Sequence, residues 1–96
     1  MTENDEKLLY NDAYSKWGMR DQLDMVQEEC AELIQAVSKV KRSETFHITD
    51  NFIEEIADVK IMLAQMEFVF GIRDEVEKVR KYKIERLRKK VYGIDA

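Results

Sequence analysis

Residues 52–70 read FIEEIADVKIMLAQMEFVF, and this stretch decides the fold. Drawn as a helix at about 100° per residue, it carries apolar side chains around nearly its whole circumference. A helix of that kind is buried on most sides. A chain of 96 residues forms one domain, and its other helices are too few to cover such a helix alone. The stretch therefore predicts a helix at the core of a dimer.

Helical periodicity also extends through most of the remaining sequence. Between residues 20 and 41, apolar side chains recur at steps of three and four, as in an amphipathic helix. The chain has no proline, and its three glycines and a polar stretch at 42–50 mark the boundaries. We predict an all-α, antiparallel bundle of about four helices, near residues 5–16, 20–41, 50–70 and 74–92. They form a single domain over residues 1–96, with a core completed by dimerisation.

Composition and charge exclude several classes of protein. Cys30 is the only cysteine, so no intramolecular disulfide can form, and the polar N-terminus does not resemble a signal peptide. No apolar run approaches the roughly 18 residues of a membrane span. We expect a cytoplasmic protein that does not contact membranes.

The net charge of −4 is unevenly distributed. Residues 78–90 hold eight basic residues against one acid, a local charge of +7, which leaves −11 for the rest. Such a basic helix can be a solvated face, or it can bind phosphate, nucleic acid or an acidic partner.

Four carboxylates project towards apolar neighbours on two of the predicted helices. Glu29 and Glu32 lie one turn apart on the second helix, and Glu55 and Asp58 on the third. Ionised carboxylates in apolar surroundings must be protonated, paired with bases or bound to a metal. Two such pairs on facing helices would form an oxygen-only site suited to Mg²⁺ or Mn²⁺. Because the chain has 20 acids, the spacing alone favours solvated or salt-bridged acids over a metal site.

Two short segments resemble a known signature. Residues 28–33 (EECAEL) and 54–59 (EEIADV) are similar to the Glu-x-x-Glu … Glu-x-x-Asp pattern of the MazG-like all-α nucleoside triphosphate pyrophosphohydrolases. The flanking Trp17 and Gln22, and the pair Lys39 and Arg42, are also similar to short members of that family.

The resemblance implies an activity and a set of site residues. Members of the family hydrolyse (d)NTP to (d)NMP and pyrophosphate, by attack of a metal-activated water at the α-phosphorus. They do so as homodimers or dimers of dimers. The implied catalytic metal ligands are Glu29, Glu32, Glu55 and Asp58, with Mg²⁺ as cofactor and Mn²⁺ as a substitute.

The resemblance also implies residues that bind substrate. Lys83 and Arg86 occupy positions that often contact phosphates, although Tyr82 stands where an asparagine is common. Lys39 and Arg42 are further phosphate candidates. Trp17 can stack on the base or belong to the core.

Two other functions remain open from the sequence. One is a helical homodimeric interaction module whose basic C-terminal helix binds nucleic acid or an acidic partner. Nucleic acid is the less expected ligand, because no recognition helix accompanies the basic run. The other is a related pyrophosphohydrolase acting on a specialised nucleotide such as phosphoribosyl-ATP. Di-iron chemistry is not expected, since it needs Glu-x-x-His pairs and His47 is the only histidine.

Overall fold

The computed structural model describes residues 1–93 and consists of three helices, α1 (Glu3–Arg42), α2 (Asp50–Val69) and α3 (Arg73–Tyr92). No strand occurs within these residues, which confirms the predicted all-α class. The count differs from the prediction of about four helices. The two helices predicted near residues 5–16 and 20–41 both lie within α1.

Gly18 interrupts α1 at the boundary predicted from the sequence. Its backbone has φ 83° and ψ 169°, which is not helical. A positive φ of this size is readily adopted only by glycine. Helical geometry resumes at once, because the neighbouring residues are neither proline nor turn formers. The chain changes direction there without a connecting loop, so the two predicted helices form one broken helix.

Side-chain caps begin the first two helices. The Thr2 hydroxyl accepts a hydrogen bond from the Asp5 N–H at 3.1 Å, and the Asp5 carboxylate accepts one from the Thr2 N–H at 2.9 Å. The Thr49 hydroxyl likewise accepts from the Phe52 N–H at 3.0 Å. Each contact satisfies a backbone donor that the first helical turn leaves unpaired.

The core lies between α1 and α2, which pack against each other as an antiparallel pair after Gly18. We call this pair the α1–α2 hairpin. Its buried apolar side chains are Ala36, Val40, Met62 and Met66. Before Gly18, the rings of Tyr10 and Tyr14 lie 6.5 Å, centroid to centroid, from those of Phe68 and Phe70. This small core fixes α1 to α2.

The last helix, α3, contributes no buried residue. It follows the turn at Gly71, and an ion pair of 3.3 Å between Arg73 and Glu3 holds its start against α1. The protomer is therefore a two-helix hairpin with an exposed third helix. None of the helices in residues 1–93 has both the length and the apolar character needed to cross a membrane.

Candidate metal centre

A group of carboxylates lies between α1 and α2. Glu29 and Glu32 of α1 and Glu55 of α2 each place one carboxylate oxygen within 4.8 Å of the others. Residues three apart lie on the same face of a helix, so α1 presents both glutamates to α2. The antiparallel packing of α2 then brings Glu55 opposite them.

Two oxygens in this group are buried and have no hydrogen-bond partner. They are Oε2 of Glu29 and Oε2 of Glu55. The Glu55 side chain is 8% exposed, Glu29 is half-buried and Glu32 is exposed. A buried polar atom without a partner destabilises the fold by about 1–3 kcal/mol. A bound cation would satisfy both oxygens at once, and an oxygen-only donor set fits Mg²⁺.

The electrostatics of the group also favour a cation. Burial raises the pKa of Glu29, and the negative charges of Glu32, Asp58 and Glu55 raise it further. Burial also raises the pKa of Glu55, and the negative charges of Glu32 and Asp58 raise it further. No basic side chain offsets either shift, and no ion pair within residues 1–93 involves these acids. The site holds more negative charge than its surroundings compensate.

Asp58, the fourth predicted ligand, lies beside this group. It is half-buried and adjoins Glu29, whose pKa it raises through its negative charge. It is not one of the three residues whose oxygens lie within 4.8 Å of one another. The structure thus groups Glu29, Glu32 and Glu55, with Asp58 at the edge.

Two polar residues of the hairpin were not among the predicted ligands. The Asn51 side-chain amide donates a hydrogen bond to Oε1 of Glu55 at 3.5 Å, so it helps to orient that carboxylate. Gln22 is only 1% exposed, and its Oε1 has no partner. The spacing carries a signal for both: Asn51 precedes Glu55 by one turn and Gln22 precedes Glu29 by two turns.

Trp17, predicted to bind the base or to join the core, is 48% exposed beside the Gly18 break. The amino group of Lys16 lies 5.3 Å from the centre of its ring. Trp17 lines a shallow cavity together with Asp21, Asp24, Met25 and Glu28. Its location is open enough for a planar ligand to stack on the ring.

The predicted phosphate-binding residues lie at two separate places. Lys39 and Arg42 are exposed in the last turn of α1, while Lys83 and Arg86 are exposed on α3. None of the ion pairs within residues 1–93 includes any of these four side chains. Their contact with phosphate stays a prediction.

Comparisons with protein-family models, with curated proteins and with solved structures find no match to this chain.

Proposed function

We propose that this protein is a Mg²⁺-dependent nucleoside triphosphate pyrophosphohydrolase that converts (d)NTP to (d)NMP and pyrophosphate. The observation that carries the proposal is the convergence of three carboxylates from two helices, with two buried oxygens left unpaired. The resemblance of the same residues to the MazG-like signature supports the choice of reaction.

In this proposal Glu29, Glu32, Glu55 and Asp58 hold Mg²⁺, which Mn²⁺ can replace. Mg²⁺ held there would supply Lewis-acid chemistry, that is, activation of a water for hydrolysis at the α-phosphorus and neutralisation of charge on the pyrophosphate group. Glu55, to which the Asn51 amide donates a hydrogen bond, gives the site one buried carboxylate. Exposed Glu32 leaves one side of the group open to substrate.

Substrate binding needs positive charge and an apolar contact. Lys39, Arg42, Lys83 and Arg86 are the candidates for the phosphates, and the arginines can bind phosphate oxygens in a bidentate manner. Trp17 is the candidate for the base, because a half-exposed indole ring can stack on it.

A homodimer or a dimer of dimers, acting in the cytoplasm, completes the proposal. Exposed apolar side chains on α2, namely Ile53, Ile56, Ile61 and Leu63, support association. One observation favours a second candidate function, the interaction module: α3 has a net positive charge and buries none of its residues. Such a module would bind an acidic partner or nucleic acid and would not require Mg²⁺.

The reaction can be tested directly by incubating the protein with ribo- and deoxyribonucleoside triphosphates in Mg²⁺ or in EDTA, and separating the products by ion-exchange chromatography. We expect monophosphate and pyrophosphate, in Mg²⁺ only. Diphosphate with inorganic phosphate would mean attack at the γ-phosphorus and would overturn the proposal. A lack of turnover for every common triphosphate would leave a specialised nucleotide, such as phosphoribosyl-ATP, as the next substrate to test.

A further inference from the structure

Along one face of α3 runs an apolar row without any partner in the protomer. It consists of Val76, Val79, Ile84, Leu87 and Val91, all at least 38% exposed. Much of the row lines a shallow groove together with Arg80 and Lys83. A basic row, Lys83, Arg86 and Lys90, follows its edge at helical spacing. The steps between the residues of the apolar row are three, five, three and four, which keeps them on one side of the helix, and an apolar side of a helix is normally buried.

The turn before α3 directs this face away from the hairpin of the same protomer. Gly71 has φ 66°, and its N–H donates to the Phe68 carbonyl at 3.2 Å. The Ile72 N–H donates to the Glu67 carbonyl at 3.0 Å, and Arg73 pairs with Glu3. These contacts fix the start of α3 but leave its later turns exposed.

The size of the protomer indicates how much surface a partner has to cover. Its accessible surface is 7881 Å², whereas a compact monomer of 11.4 kDa exposes about 5,800 Å². Its radius of gyration is 16.7 Å, against about 12.5 Å for a compact domain of this length. The excess surface, about 2,100 Å² per protomer, matches an obligate dimer interface of roughly 2,000–5,000 Å² in total.

Charge identifies which surface of a second copy fits the α3 face. Residues 19–69, which form the hairpin, carry 11 acids and five bases, a net charge of −6, whereas α3 has nine bases and four acids, a net charge of +5. Pairing α3 with another α3 would bring like charges together. Pairing α3 with a hairpin joins opposite charges, and the hairpin also exposes Ile53, Ile56 and Leu63 on one side of α2.

We propose that each α3 docks through its apolar row on the acidic α1–α2 hairpin of a second copy, with the basic row supplying countercharge to that hairpin. The expectation of a homodimer rests on the proposed function. The choice of docking surface and of its orientation rests on the exposed apolar row and the charge of α3. The arrangement is reciprocal, as a two-fold dimer requires. It brings Lys83 and Arg86 to the hairpin of the other protomer. In the proposed function, these two residues would bind the phosphates of a substrate held at the carboxylates of that hairpin.

Sedimentation equilibrium at 0.1 M NaCl, without nucleotide or metal, tests the docking separately from catalysis. We expect a mass about twice 11.4 kDa for the wild type. Leu87→Asp should raise the dimer dissociation constant at least about 10-fold, as removal of an interface anchor does. Tyr82→Asp is the matched control, because Tyr82 is 70% exposed and projects about 140° away from Leu87. It should leave the dissociation constant unchanged.

Charge reversal of the basic row, K83E/R86E/K90E, distinguishes the two possible pairings. Docking on the acidic hairpin predicts a weaker dimer. Pairing of two α3 helices predicts a stronger one, because the reversal relieves their repulsion. Because the three side chains are exposed, their reversal should not prevent the protomer from folding. This variant therefore still tests the docking if Leu87→Asp fails to fold.

Three results would overturn the inference. One is a wild type that stays monomeric at every concentration tested, including one that binds DNA in a salt-sensitive manner. Another is a Leu87→Asp variant that dimerises as well as Tyr82→Asp. The third is a charge-reversed variant that associates more tightly than the wild type.

Discussion

The two C-terminal helices have the same length but contrasting environments. Each spans 20 residues; α2 buries Glu55, Met62, Gln65 and Met66, whereas α3 buries nothing. Thirteen of the 20 residues of α3 are charged, against six in α2. On the apolar helix the informative residue is the buried acid Glu55, beside which we propose a bound cation. On the charged helix they are the exposed apolar side chains, which indicate a partner.

The largest expected effect is the loss of activity on removing the buried carboxylate of α2. Glu55→Gln keeps the shape of the side chain but loses a candidate ligand. Loss of a residue behind a metal ligand typically costs 10–100-fold in activity or metal affinity, so loss of a ligand should cost more than about 100-fold. Steady-state pyrophosphate release measures the activity. The variant should fold at least as well as the wild type in EDTA, because a raised pKa marks Glu55 as a destabilising charge.

Glu54→Gln is the matched control, since it makes the same chemical change on the neighbouring exposed residue. Its activity should stay close to that of the wild type. Thermal unfolding gives a second readout: Mg²⁺ at about 100 times its Kd adds about 2.7 kcal/mol to a folded state that binds it. Wild type and Glu54→Gln should gain about 10 °C or more in Tm, and Glu55→Gln little. Equal increases in Tm in all three proteins would mean that Mg²⁺ does not bind at the carboxylate group, which would contradict the proposed site.

Much of this contrast can be predicted from the sequence, because helices and buried acids leave periodic signals. The apolar circumference of residues 52–70 predicts α2, and the acids at 29, 32 and 55 are conspicuous because they share faces with apolar residues. Their convergence follows from antiparallel packing with a short connection. The break at Gly18 was also predictable in position, since glycine alone interrupts that stretch.

Other features depend on tertiary geometry that periodicity does not encode. The sequence cannot tell whether Gly18 separates two helices or bends one, because both outcomes use the same residue. The contact of Asn51 with Glu55 requires a particular rotamer, and the outlying position of Asp58 requires the exact helix register. An amphipathic pattern shows that α3 has an apolar face, but it does not name the surface that covers it.

A smaller effect should distinguish the core of the hairpin from the outer face of α3. Met62 is buried, so Met62→Ala should lower the free energy of unfolding by about 2–5 kcal/mol through lost burial and a cavity. Tyr82 on α3 is exposed, so Tyr82→Ala should change it by less than about 0.5 kcal/mol. Urea unfolding at one fixed protein concentration compares them. A large loss with Tyr82→Ala would place that face of α3 in an interface and contradict the orientation proposed for the helix.

The smallest expected effect is a pH dependence of stability in the absence of metal. The pKa values of Glu29 and Glu55 are raised above the ordinary 4.5 in the folded protein. The folded state therefore binds protons more readily than the unfolded chain at these two positions. Their contribution to stability is fully present below pH 4.5 and is lost as the pH rises through the folded-state pKa values.

Urea midpoints measured in EDTA between pH 7.5 and 4.5 test this sign. The wild type should gain stability on acidification relative to the double variant E29Q/E55Q, which has no carboxylates to titrate at these positions. Asp5 and Glu85 have lowered pKa values and act in the opposite direction, but both proteins share them, so their effect cancels in the comparison. Saturating Mg²⁺ should reverse the trend in the wild type alone, because protons and the cation compete for the same oxygens. Parallel curves for the two proteins would mean that these carboxylates are solvated. The hairpin would then differ from α3 in packing but would contain no buried, destabilising acids.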